Sequence, residues 1–312
     1  MSLFALIAAL LLEQYRPLFL RKYLFMWLSG YVQFFQHHFN AGQQEQGKIA
    51  WLLAVLPLLV GAMVLFWMLD RVHPIFAWAF NVLVLYMTMG FRQFSHYFTK
   101  IHLALRADKL DEARALLSRW RDIPSDELNA EEVARLTIEQ ALIASHRNVF
   151  GVIVWFVLFS AVGLGGAAGA LLYRLGQFLR ARWGIKDGSV LGAFGGFARQ
   201  VFYFLEWLPV RMTAITFAIV GDFEDTIFCW RTQAASWPDP EAGILLASGA
   251  GALGVRLGML ITQDGQPLDR PEMGVGDEAD ADFMQSTIGL VWRSVVFWLI
   301  LLLLLTLASL LG

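Results

Sequence analysis

Ile49-Ala-Trp-Leu-Leu-Ala-Val-Leu-Pro-Leu-Leu-Val-Gly-Ala-Met-Val-Leu-Phe-Trp-Met-Leu69 runs without a charge between Lys48 and Asp70. A helix rises ~1.5 Å per residue, so a run of this length reaches ~30 Å, the thickness of a bilayer's hydrocarbon core. Asp70-Arg-Val-His-Pro74 follows, and Pro74 suits the first turn of a new helix. A second charge-free run, 72–91, lies between Arg71 and Arg92. The pair reads as a transmembrane hairpin over 49–91.

Two further runs extend this reading. Residues 148–173 lie between Arg147 and Arg174, and 294–312 follow Arg293 and contain a run of leucines at 299–305. Composition agrees. Of 312 residues, 57% are hydrophobic and 16% charged, against about a quarter charged in ordinary soluble domains. The fold class expected is therefore all-α, a polytopic integral membrane protein with the lipid bilayer as a partner.

The same composition excludes other classes. Aliphatic and aromatic residues are too abundant for disorder. Cys229 is the single cysteine, so neither an internal disulfide nor a cysteine zinc site can form within the chain. A net charge of −2 lacks the basic field of a nucleic-acid binder, so no nucleic acid is expected as a partner. No internal repeat is evident, which weakens a transporter reading. There is no Ser/His/Asp set and no His-Glu-x-x-His, and adjacent His37 and His38 point apart on a helix. No metal site is expected from spacing alone.

Six segments follow. Residues 1–48 hold short apolar and aromatic-rich helices, interfacial or packed on their neighbours; 1–12 lack a basic n-region and a small-residue cleavage site, so no signal peptide is expected. Residues 49–91 are the hairpin. Residues 92–147 form a cytoplasmic helical hairpin: one helix over 92–121 with an apolar face at Leu110, Ala113, Leu116, Leu117 and Trp120, then a helix opened by a capping box at Asn129 and Glu132. Residues 148–176 are a glycine-rich membrane segment. Gly163, Gly165, Gly166 and Gly169 mark either close helix packing or a break that re-enters the membrane, and the sequence leaves both open. Residues 177–284 are polar or interfacial, loop-rich over 236–284, and carry an apolar stretch at 202–220 interrupted by Glu206 and Arg211. Residues 285–312 form a C-terminal transmembrane helix.

Nine Lys/Arg lie in 92–147 and four in 16–48. The positive-inside rule makes that side cytoplasmic. Arg174, Arg180, Arg182 and Lys186 conflict with this if 148–173 spans, and agree with it if that segment turns back.

Three constellations could carry chemistry. Ala250-Gly-Ala-Leu-Gly-Val-Arg-Leu-Gly258 combines glycines that admit close backbone approach with Arg256, whose planar fork suits phosphate or carboxylate. On pattern alone a packed glycine-rich helix is the favoured explanation. Glu206 and Arg211 flank Pro209 and can pair with each other or hold a polar substrate. His146-Arg-Asn148 stands at the membrane boundary, where such residues also serve as anchors. Nothing acidic lies within seven residues of Arg256. A shared anion on Arg211 and Arg256 is therefore expected.

These segments, taken in order, resemble the CobD/CbiB family of integral-membrane cobalamin-biosynthesis proteins. Residues 250–258 resemble that family's C-terminal signature. Gly165-Gly-Ala-Ala-Gly-Ala-Leu-Leu-Tyr-Arg174 resembles its Gly-Gly-x-x-Gly-Ala-x-x-Tyr-Arg segment, and Trp207-Leu-Pro-Val-Arg-Met-Thr-Ala214 resembles its Pro-Ala-Arg-Leu-Thr-Ala segment. Leu110-Asp-Glu-Ala-Arg-Ala-Leu-Leu117 resembles its cytoplasmic helix. The resemblance implies a multi-pass protein of the bacterial inner membrane. It implies an adenosylcobinamide(-phosphate) synthase: an amide bond between adenosylcobyric acid and aminopropanol or its phosphate, with ATP and Mg²⁺ if catalytic, and a corrinoid or other anionic small molecule as partner. Ligand-binding candidates on the matching positions are Glu13, Arg147, Asn148, Tyr173, Arg174, Glu206, Arg211, Gly251, Gly254, Arg256 and Gly258; no catalytic residue is assigned.

The chain departs from the family pattern at its acids. Glu13 stands near the family's opening Asp, and Gln14-Tyr-Arg-Pro17 replaces its Gly-Asp-Pro and His-Pro-Val motifs. Glu-Asn and Asp-Gly are reduced to 146–148 and 150–151. The acid after Tyr-Arg falls at Arg180, and the paired acids before Pro-x-Arg fall on apolar residues near Tyr203. Losing hard oxygen ligands for Mg²⁺ bears on whether the ligation survives. The chain also resembles AmpE, a related membrane protein linked to β-lactamase induction, through Leu205-Glu-Trp-Leu-Pro-Val-Arg211 and the Leu-Leu-Glu13 start. That makes a non-catalytic sensor or regulator the alternative.

Overall fold

The computed structural model describes residues 2–15, 21–40, 42–184, 193–263 and 266–311. Arg16, Pro17 and Lys186, named above, lie outside them. The protein is all-α, with a few two- and three-residue strands, and four helices are long and apolar enough to cross a membrane: Gln44–Val72, Ala130–Ala161, Gly196–Val220 and Ala281–Ala308. The chain divides into two compact units, 1–90 with 151–209 and 91–150 with 210–312.

The first unit holds α1 (Ser2–Tyr15), α2 (Arg21–Phe39), α3 (Gln44–Val72), α4 (Pro74–Thr88), α8 (Gly151–Ala161), α9 (Gly166–Trp183) and the start of α10 (Gly196–Val220). The α3–α4 turn forms as read. His73 ends α3 by donating its N–H to Leu69 O at 3.0 Å. Its ring Nδ1 accepts from Ile75 N at 3.2 Å, and Pro74 occupies the first turn of α4.

The helix within 72–91 is shorter than the charge-free run. α4 has 15 residues, ~22 Å at helical rise, and Met89 caps it in extended backbone. A charge-free run need not be helical throughout.

The glycine-rich segment contains both a break and close packing. The chain turns back at 162–165, where Gly163 and Gly165 take φ of +75° and +84°. Trp67 Nε1 donates to Gly163 O at 3.0 Å, and Asn81 Oδ1 accepts from Ala167 N at 3.0 Å, satisfying a free amide at the start of α9. A Cβ on Gly169 would stand 2.1 Å from the Trp155 carbonyl oxygen, so α8 and α9 approach backbone to backbone. The first half of the run instead completes the span Ala130–Ala161.

Pro209 sits inside α10. Having no N–H, it leaves Leu205 O without its helical donor. Trp155 Nε1 donates to that oxygen at 2.9 Å. The unit's core gathers Trp51, Leu175, Leu179, Trp183 and Phe194.

The second unit holds α5 (Phe91–Arg106), α6 (Leu110–Arg121), α7 (Ala130–Ser145) with a π turn at His146–Phe150, the rest of α10, α11 (Phe223–Gln233), α12 (Pro240–Leu253) and α13 (Ala281–Leu311). The single helix expected over 92–121 is two. Asp108 at φ +55° breaks it, and α6 packs back on α5. α7 starts as read: Asn129 Oδ1 accepts from Glu132 N, and Asn129 N donates to Glu132 Oε2, both at 2.8 Å. Asn129→Ala should cost ~1 kcal/mol. It should lower the melting temperature of the detergent-solubilised protein by a few degrees, and an unchanged melt would show the cap is dispensable.

Residues 236–284 are more ordered than their prolines suggest. Pro240 is the first-turn proline of α12, a helix buried along nearly its whole length, with Asp239 Oδ1 accepting from Ala242 N at 3.5 Å. After α12, β1 (Val255–Arg256) pairs in parallel with β4 (Asp277–Glu278), and β2 (Ile261–Gln263) pairs antiparallel with β3 (Gln266–Leu268).

Candidate functional site

The most developed charged cluster lies in the second unit and centres on Glu139. This residue sits on α7 between Ile138 and Ala141, both fully buried, and is itself 6% exposed. Arg270 grips it with two bonds, Nη1 to Oε2 at 2.7 Å and Nη2 to Oε1 at 3.2 Å. Gly258 N donates to the same Oε1 at 2.9 Å. Arg270 also donates to Gly258 O at 2.7 Å and Met259 O at 3.2 Å, and lies over the Trp237 ring at 5.7 Å. The carboxylate thus ties α7 to the loop that follows β1. A bidentate, charge-assisted pair of this kind is among the stronger polar contacts in a protein.

Arg135, one helical turn before Glu139, is 7% exposed. Its Nη2 donates to Leu260 O at 3.2 Å and its Nη1 to Met259 Sδ at 3.6 Å. Arg121 closes α6 within electrostatic reach of Glu139 and Arg270. Burial lowers its pKa, Glu139 opposes that shift and Arg270 adds to it.

The glycines of 250–258 serve this architecture. Gly251 lets α12 meet α11, since a Cβ there would lie 2.5 Å from Asp225 O. Gly254 ends α12 in the left-handed conformation, at φ +65°. Gly258, at φ +76°, leaves no room for a side chain: a Cβ would stand 1.9 Å from Pro271 O.

Arg256 corrects an expectation. Its counter-charges come from the protein: Glu278 Oε1 at 3.2 Å and Glu272 Oε1 at 3.6 Å. They stand beyond the seven-residue window because β4 and the segment before it return alongside β1. The case for an anion shared with Arg211 therefore loses its premise, since Arg256 already has two carboxylates. Arg211 is half-buried on α10.

The remaining candidates fall in separate places. In the second unit, Arg147 Nη2 is 3.7 Å from Asp239 Oδ2, beside half-buried Asn148, and the buried His146 ring meets Thr213 Oγ1 at 2.9 Å. In the first unit, Glu13 is buried on α1, and Tyr173 is fully buried, so close to α8 that a Cβ on Gly151 would meet its ring at 2.2 Å. Arg174 donates to Gln177 Oε1 at 2.6 Å. Glu206, with no exposed surface, accepts from Arg180 Nη1 at 3.1 Å. Arg180 stands over the Phe202 ring at 5.2 Å, and that ring packs 5.5 Å from Tyr173. Arg180, at a position where the resemblance places an acid, thus meets the one acid left near Pro209.

Sequence reasoning missed Arg121, Arg135, Glu139, Arg180 and Arg270. One signal was available. Arg135 and Glu139 stand four apart within 133–142, a stretch otherwise uncharged and mostly apolar, which puts two charges on one helix face.

Comparison with known proteins places these features in one family. The family model described as CobD/Cbib protein matches residues 4–291. A "Cobalamin biosynthesis protein CobD" of Stutzerimonas stutzeri is 35% identical over 272 residues, 86% of each chain. One of Chromobacterium violaceum is 35% identical over 249 residues, 80% of this chain and 72% of that one. A "Cobalamin biosynthesis protein CbiB" of Salmonella typhimurium is 27% identical over 241 residues, 75% of this chain and 73% of its own. No solved structure matches. The AmpE-like alternative draws no support from these relatives.

Proposed function

We propose, since this chain belongs to the CobD/CbiB family, that it serves cobalamin biosynthesis in the bacterial inner membrane, at the step that joins adenosylcobyric acid to aminopropanol or its phosphate. The observation that carries this reading is the match over 4–291, which takes in three of the four candidate spans among the described residues, the polar segments between them and the start of the fourth span. The basic excess of 92–129, the part of that stretch ahead of the candidate span Ala130–Ala161, supports a cytoplasmic side for it.

ATP and Mg²⁺ would be co-reactants of this ligation. Mg²⁺ takes oxygen ligands, commonly one or two carboxylates with substrate phosphates. The buried carboxylates with traced partners do not suit it: Glu139 is held by Arg270, and Glu206 by Arg180. Among the described residues no three His, Cys, Asp or Glu side chains stand together as an all-protein metal cage would need. Neither Glu139 nor Glu206 therefore fits Mg²⁺. What the chain's arginines and tight glycine backbone suit is holding an anionic group, such as a corrinoid carboxylate or the phosphate of the amino alcohol.

A strain lacking its own synthase tests this reading. Supplied with adenosylcobyric acid, it should regain cobinamide formation when this gene is expressed. Absence of rescue, with the protein detected in the membrane fraction, would overturn the ligation reading.

A further inference from the structure

The geometry points to an oxyanion-binding site, for a phosphate or carboxylate group, bounded by Arg121, Arg135 and Arg270 around Glu139. The site stands on its own geometry and does not depend on the pathway proposed above. Three guanidinium groups lie within electrostatic reach of one buried carboxylate, and only one of them bonds it. Arg270 takes both oxygens of Glu139. Among the described residues Arg135 finds only neutral acceptors, Leu260 O and Met259 Sδ, and its Nε is buried with no hydrogen-bond partner. Among the described residues Arg121 has no hydrogen bond or ion pair, although it lies close enough to Arg270 to be repelled by it.

The other acids near Arg135 are committed elsewhere. Glu132 accepts from Asn129 N in the capping box, and Glu278 pairs with Arg256. Glu139 therefore balances one of three charges at the centre. Partly buried guanidinium groups without a counter-charge are costly, and removal of that cost favours a bound anion. The planar fork of arginine matches the oxygens of phosphate and carboxylate. The backbone beside the site is also held in a sparse conformation: Met259 takes φ of +64° while its carbonyl accepts from Arg270. Such outliers gather at ligand clamps.

The test uses the full chain in uncharged detergent, melted in rising inorganic phosphate at constant ionic strength, with chloride as the balancing salt. Phosphate should raise the melting temperature of the unmodified protein, as a ligand that prefers the folded state does. Arg121→Gln removes a charge with no hydrogen bond to lose. It should leave the phosphate-free melt unchanged or higher and weaken the phosphate response at least about tenfold, equivalent to ~1.4 kcal/mol. Nanodiscs separate two sources of the anion. If a soluble phosphate ester is the natural ligand, the response persists unchanged in phosphatidylglycerol; if a lipid headgroup is, phosphatidylglycerol suppresses it and phosphatidylcholine does not. A protein indifferent to phosphate in detergent, or an Arg121→Gln variant that responds as strongly as the original, would overturn the site.

Discussion

Glu139→Ala should be among the most damaging single substitutions in the chain, at ~3–5 kcal/mol, the usual cost of removing one partner from a buried ion pair. The carboxylate is 6% exposed, and three groups depend on it: both arms of Arg270 and the Gly258 amide. Without it the amide loses its acceptor, and Arg270 loses the carboxylate that holds both its arms while Arg121 and Arg135 still repel it. Glu139→Gln keeps an oxygen for Gly258 N but drops the charge, so it should fall between the original and the alanine variant. Arg270→Met in the Glu139→Met background should recover part of the loss, because an apolar pair of similar volume replaces the salt bridge at little cost. The measurement is the melting temperature, with the fraction eluting as a monodisperse peak after heating. An alanine variant within ~1 kcal/mol of the original would show that the cluster does not hold the loop to α7.

How far this could be read from sequence depends on the reach of each signal. The α3–α4 turn and the Asn129–Glu132 box were legible because each is fixed by residues within a few positions: a first-turn proline, an N-cap with a glutamate three residues on. The membrane character of α3 and α13 needed only uninterrupted apolar length. The α5–α6 break was not legible, since it rests on a left-handed Asp108 with neither glycine nor proline to announce it. Pro240 was legible but misread: within a proline-spaced stretch it looked like loop, whereas after Asp239 it starts a helix. The charged cluster was least accessible. Glu139 and Arg270 are 131 residues apart, and Arg256 finds its acids 16 and 22 residues on, once the strands fold alongside. The glycines of 250–258 were found for the right physical property, close backbone approach, but what approaches is the protein's own chain.

In the first unit the ion pair Arg180–Glu206 carries the other large expected effect. Glu206 has no exposed surface, whereas the Arg180 side chain keeps 28% of its own. The two partners are therefore unequal in what they lose. Arg180→Leu takes a charged partner from a carboxylate with no exposed surface, and should cost ~3–5 kcal/mol. Glu206→Leu leaves a guanidinium that can still turn part of its fork outward, and should cost less. Arg180→Glu restores an acid where the family resemblance places one. It also sets a second carboxylate against Glu206, so it should be the most damaging of the three. The acid of the family pattern therefore cannot return alone, because Glu206 is kept by the arginine that replaced it. The double substitution Arg180→Leu with Glu206→Leu should melt close to the original protein, since replacing a whole buried pair by apolar groups is often neutral. Melts of the four variants under one detergent condition decide the matter. If Arg180→Leu alone is as stable as the double variant, the pair contributes nothing and Arg180 is no compensation for the missing acid.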